Sequence, residues 1–163
     1  MIKLRHLTNA AMATAAVVAS TTGLGLYAGT AHAAPGAVLD VPAAGAAFNC
    51  ELGQQPVTFT TTGGTLHIVN QMQQDANGVY HFTGTVSLQG VTATDGTSDG
   101  YRIVGASWYG GNGSDPANTA VHSTDEFNIL GPNGKVASIH ASLIFSPDGS
   151  VTGKALGDCL PPL

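Results

Sequence analysis

The run Tyr80-His81-Phe82-Thr83-Gly84-Thr85-Val86-Ser87-Leu88 decides the fold. Tyr80, Phe82, Gly84, Val86 and Leu88 share one parity, while His81, Thr83, Thr85 and Ser87 take the other. A period of two sends successive side chains to opposite faces of a sheet. One face is therefore expected to meet a core and the other to meet water, as in an antiparallel sheet. Beyond Gln89-Gly90 the apolar phase moves by one position, to Val91 and Ala93, and a β-bulge at that dipeptide accounts for the slip.

Similar runs of β-branched and aromatic residues lie on both sides, at Ala47–Leu52, Val57–Thr62, Thr65–Met72, Tyr101–Tyr109, Thr119–Leu130, Lys135–Phe145 and Ser150–Leu156. Between the runs stand Gly63-Gly64, Asp75-Ala76-Asn77-Gly78, Asp95-Gly96, Pro132-Asn133-Gly134 and Pro147-Asp148-Gly149. These residues tolerate the positive φ of tight hairpins, so neighbours in sequence are expected to be neighbours in the sheet. Helical spacing at i, i+3, i+4 and i+7 is nowhere sustained past position 34 without a Gly or Pro inside it. The prediction is an all-β fold, a single antiparallel meander of about seven or eight strands. A small barrel is favoured over a two-sheet sandwich because nearly every link reads as a tight hairpin.

The ends of the chain set its compartment. Lys3 and Arg5 precede a mostly apolar run from Ala10 to Leu26, and Ala31-His32-Ala33 fits the small-x-small rule for cleavage before Ala34-Pro35. Ser20-Thr21-Thr22-Gly23 interrupts that run, which falls short of the roughly 18 apolar residues of a permanent span, and no later segment reads as one. Residues 1–33 are thus read as a cleaved secretory signal of bacterial style, 34–47 as a flexible lead-in or edge segment, and 48–163 as a single β domain. The mature protein is expected to be secreted, with no membrane span after signal cleavage. Cys50 and Cys159 are the only cysteines. In an exported chain they most simply pair with each other, which ties the two ends of the domain together.

Charge excludes some partners. All of the Asp and Glu residues lie beyond the signal, against Arg102, Lys135 and Lys154 as the only strong bases there. Three bases against ten acids leave a net charge of −7. Nucleic acid, anionic lipid and polyphosphate each need clustered Lys or Arg, and these three are scattered.

Catalytic and metal-binding patterns are sparse. His67, His81, His122 and His140 show neither HxH nor HExxH spacing and read as surface or rim histidines, so no metal site is expected. Asp95-Gly96-Thr97-Ser98-Asp99-Gly100 imitates the first half of a calcium loop, but Ala106 stands where the bidentate Glu belongs, and a polar hairpin turn explains it. Gly105-Ala106-Ser107-Trp108-Tyr109-Gly110 is not a GxSxG nucleophile elbow. His122 lies near Asp125 and Glu126, a pairing suited to proton transfer only if a cleft opens there.

The least ordinary stretch is Ser107-Trp108-Tyr109-Gly110-Gly111-Asn112-Gly113-Ser114-Asp115-Pro116-Ala117-Asn118, which joins the only Trp to the longest glycine-rich loop. Val104, Ala106 and Trp108 share a parity, which would turn Trp108 inward and Tyr109 outward. The expected partner-binding residues are then Tyr109, Asn112, Ser114 and Asp115. No cofactor and no catalytic residue is expected. The functional expectation is a secreted, non-enzymatic β module that binds a small molecule or a protein through its loops. The alternative is a small barrel hydrolase or isomerase that uses a His–carboxylate pair in an end cavity.

Overall fold

The computed structural model describes residues 36–160. Residues 1–33, expected to be a cleaved signal, and the expected cleavage point lie outside the described residues. The chain is all-β, a single antiparallel sheet nearly closed into a barrel. Its strands are β1 (Ala37–Pro42), β2 (Ala47–Leu52), β3 (Gln55–Gln74), β4 (Tyr80–Thr94), β5 (Tyr101–Gly113), β6 (Val121–Gly131), β7 (Gly134–Phe145), β8 (Val151–Ala155) and β9 (Cys159–Leu160). From β2 to β8 each strand pairs with the next in sequence, and β9 returns to the free edge of β2. The result is a meander closed by its own C-terminal end. Among the described residues no helix is long and apolar enough to cross a membrane.

The glycines act differently at two places. Gly90, at φ +60, sits where the β4–β5 register shifts, as the change of phase in the sequence predicts. Gly63-Gly64 is not the hairpin turn expected of it: Val57–Thr62 and Thr65–Met72 belong to one long strand, β3. The pairing of β3 with β4 shifts across Thr61, Gly63 and Thr65, and a Cβ on Gly64 would lie 2.5 Å from the Cα of Val91. A bulge bends a strand without reversing it. Here the bend lets the first half of β3 pair with β2 and the second half with β1, while β4 runs along the other edge of both halves.

Closure is made by residues 156–160. The amide of Leu156 donates to the His140 carbonyl and that of Asp158 to the Ser138 carbonyl, both at 2.7 Å, so this segment continues along β7. Glu51 then donates to the Asp158 carbonyl at 2.8 Å, and Cys50 pairs with Cys159 in register. The Cys50–Cys159 disulfide fastens that join. At the other end of the barrel β1 pairs only with β3 and β8 only with β7, which leaves the seam between β1 and β8 open.

Asp158 clips the seam as well. Its carboxylate accepts from the Ser138 hydroxyl and from the Ser138 amide, each at 2.8 Å. These bonds hold its pKa below the ordinary 3.8. A depressed carboxylate contributes stability above its unfolded pKa and loses it as pH falls through the folded value. Carboxyl-carbon NMR should therefore find the Asp158 midpoint below 3.8, and Asp158→Ala should speed hydrogen exchange at the Ser138 amide near neutral pH. A midpoint at or above the ordinary value would show that the clip does not form.

The core lies at the closed end. Phe48, Phe59, Val91, Ala93, Ile103, Phe127, Ile129 and Ile139 are buried there, with the disulfide among them. Phe59 meets Tyr101 edge to face, with ring centroids 4.9 Å apart, a geometry that suits the ring quadrupoles.

Candidate functional site

At the open end the inner face changes from apolar to polar. One row across the strands runs Ile68, Val86, Ser107, Asp125 and Ala141; the next runs Asn70, Gly84, Tyr109, Ser123 and Leu143. Asp125 is only 8% exposed, and a buried carboxylate needs donors. It has them: Ser107 Oγ donates to Asp125 Oδ1 at 2.5 Å and Ser123 Oγ donates to the same oxygen at 3.0 Å.

Tyr109 belongs to this inner face, contrary to the expectation that it points outward. Its hydroxyl donates to Asn70 Oδ1, two strands away. To get there the ring crosses Gly84, where a Cβ would sit 2.3 Å from Tyr109 Cζ. Burial pushes the phenol pKa up. Phe82 covers Gly111 in the same manner, with a Cβ there meeting Phe82 Cζ at 2.7 Å. Aromatic rings laid over cross-strand glycines replace the side-chain contacts that glycine lacks. For this reason Gly110–Gly113 forms strand, and the expected glycine-rich loop begins only after it.

Trp108 takes the opposite face and is 47% exposed, so the inward turn expected from the Val104–Ala106–Trp108 parity is reversed. The true inner row of β5 is Ile103, Gly105, Ser107, Tyr109 and Gly111, which reads as small and polar. Its burial depends on cross-strand partners, Asp125 for Ser107 and Gly84 for Tyr109, that the β5 sequence alone does not reveal.

The outer face around Trp108 holds the candidate site. On it β4 presents His81, Thr83 and Thr85; β5 presents Asn112, Gly110 and Trp108; and β6 adds His122 and Thr124. Gly110 is the centre of this grid, between Trp108 and Asn112 along its strand and between Thr83 and His122 across it. With no side chain at the centre, its neighbours become walls. The notch opens into a shallow depression of about 910 Å³, which reaches Gln71 on β3 and Ser142 on β7. Of the expected partner-binding residues, Asn112 and Tyr109 line this depression, and register between three strands brings Trp108, Gly110 and His122 to it as well. None of the residues lining the depression is Lys, Arg, Asp or Glu.

The other expected residues lie elsewhere. Ser114 and Asp115 follow the end of β5. The Asp115 side chain is spent locally: it accepts from the Ala117 amide at 3.0 Å and from Asn118 Nδ2 at 2.6 Å, capping the short 3-10 turn Pro116–Asn118. The loop that imitates a calcium site is an Asp-anchored turn. Asp95 Oδ1 accepts from the amides of Thr97 and Ser98 and from the Thr97 hydroxyl, while Tyr101 donates to Oδ2. These bonds, Thr97 foremost, drive its pKa far below the carboxylate range.

His67, His81 and His140 pair with carboxylates, and Glu126, considered above as a partner for His122, meets His140 instead. His67 meets Asp40 at 2.7 Å, His81 meets Asp75 at 3.2 Å and His140 meets Glu126 at 3.6 Å. His122 points outward while Asp125 points in, so those two are not brought together. Among the described residues no group of three or more His, Cys, Asp or Glu side chains stands close enough to hold a metal ion. Comparison with known proteins leaves the geometry to speak alone: no protein-family model, no curated protein and no solved structure matches this chain.

Proposed function

We propose that the protein is an exported, non-enzymatic binding module that takes a small molecule on the outer face of β4, β5 and β6, around Gly110. The observation that carries this reading is the exposed Trp108, held on a paired strand beside a residue with no side chain and ringed by neutral hydrogen-bonding groups. A rigid indole covers a large area at little entropic cost, and Trp leads the residues that dominate binding energy. Asn112 stays among the binding residues. Tyr109 contributes from below, by locking β5 to β4 and β3. Ser114 and Asp115 shape the loop that leaves the site. Export is supported by the basic and apolar head, the small-x-small motif and the disulfide.

The test is to screen wild type and Trp108→Ala in parallel against a library of small molecules, following both melting temperature and chemical change in each hit. Binders of the wild type should lose about 2 kcal/mol or more of affinity, roughly 30-fold, in the variant. The ligand-free stability should change by about 1 kcal/mol or less, because the indole is half exposed. Hits that stabilise both proteins equally would move the site elsewhere. Turnover of a hit would make the protein an enzyme.

A further inference from the structure

Resting on that reading of the site, we infer that its ligand is a chain of neutral sugars, laid across the strands with one pyranose ring on Trp108. Four features of the face select this class. The indole offers a flat apolar patch to the C–H face of a sugar ring, and a polar rim surrounds it. The rim side chains Thr83, Asn112, His122 and Thr124 combine donors and acceptors around the indole, so hydroxyls shed from water find partners.

The lining residues include no Lys, Arg, Asp or Glu. A phosphate, sulfate or carboxylate would meet no Arg or Lys among them, Lys154 standing one strand beyond the depression, across from Ser142. A quaternary ammonium usually needs several aromatic faces of Trp, Tyr or Phe, and among the described residues Trp108 is the one such side chain on this face beside the notch. An acyl chain fits no better, because it would bury the surrounding hydroxyls without hydrogen bonds. Finally, the depression extends from Gln71 on β3 to Ser142 on β7. Four interstrand steps of about 4.8 Å make that roughly 19 Å. The length exceeds one sugar ring, and the face is open, so a chain can pass through without its ends being enclosed.

The chain contains one tryptophan, and it stands at the site, so its emission reports occupancy directly. Cellohexaose, maltohexaose and chitohexaose are titrated into the full-length mature protein and into Trp108→Ala and Thr124→Val, with calorimetry for the variant that lacks the fluorophore. At least one hexasaccharide should shift and shield the Trp108 emission, bind roughly 10-fold or more tighter than its own monosaccharide, and lose roughly 30-fold or more in affinity in Trp108→Ala. Thr124→Val should weaken it several-fold while leaving the melting temperature unchanged. Inorganic phosphate, choline and decanoate serve as controls for the excluded classes. If none of the three oligosaccharides binds, or if binding survives Trp108→Ala undiminished, the sugar assignment is overturned. If one of the control ligands shields Trp108 instead, the site stands and only its ligand class falls. Binding of any probe with Trp108 unaffected would defeat the site itself.

Discussion

Replacing Cys50 and Cys159 together by alanine should lower the stability of the domain by about 4–5 kcal/mol. The bond joins positions 109 residues apart, so its removal releases a long loop in the unfolded chain, where much of the effect is expected to arise. The native side adds to it. Cys159 belongs to a strand of only two residues, and that strand with residues 156–158 makes the join between β7 and β2. Both cysteines are 2% exposed, so alanine is the better substitute because serine would bury unpaired hydroxyls. Urea unfolding of the oxidised wild type and the double variant measures the difference. A loss below about 1 kcal/mol would mean that the barrel closes without its staple.

The second large effect concerns Gly84 and Tyr109. Valine at position 84 should cost about 2–4 kcal/mol, since overpacking costs roughly 1–3 and the displaced Tyr109 gives up its bond to Asn70, worth about 1 more. The backbone itself does not object, because Gly84 does not have a positive φ. The three atoms nearest to such a side chain all belong to Tyr109. In a Tyr109→Ala background the same valine should therefore cost less than about 1 kcal/mol, and the two substitutions should be coupled by more than about 1 kcal/mol. Additive losses would place the ring away from Gly84, and the outward expectation for Tyr109 would return.

These residues also show how much of the molecule is written plainly in its sequence. The alternation in Tyr80–Leu88, the slip at Gln89-Gly90 and the Asp-Gly and Asn-Gly turns give the meander, because each is a local signal read within a few residues. The pairing of the two cysteines follows from number and compartment. What local reading misses is set across strands. Gly63-Gly64 looks like a turn and is a bend, since only the approach to Val91 distinguishes them. Gly110–Gly113 looks like a loop and is strand, paired with Tyr80–Thr83 and covered at Gly111 by the Phe82 ring. The sidedness of Trp108 is inverted for the same reason: Ser107 and Tyr109 are interior residues only because Asp125 and Gly84 stand opposite them. The candidate site, an arrangement of single residues from neighbouring strands around Gly110, becomes legible only once those registers are known.

Every part of the site therefore depends on the phase of β5, and the lone tryptophan measures that phase without any ligand. Fluorescence of the free mature protein, with acrylamide quenching in the native state and in denaturant, is the direct measurement. The expected result is the red-shifted emission of a solvated indole and native quenching that approaches that of the unfolded chain, with Tyr109 titrating above its ordinary value. A blue-shifted emission protected from acrylamide would put Trp108 in the interior and Tyr109 outside, and the notch at Gly110 would not exist.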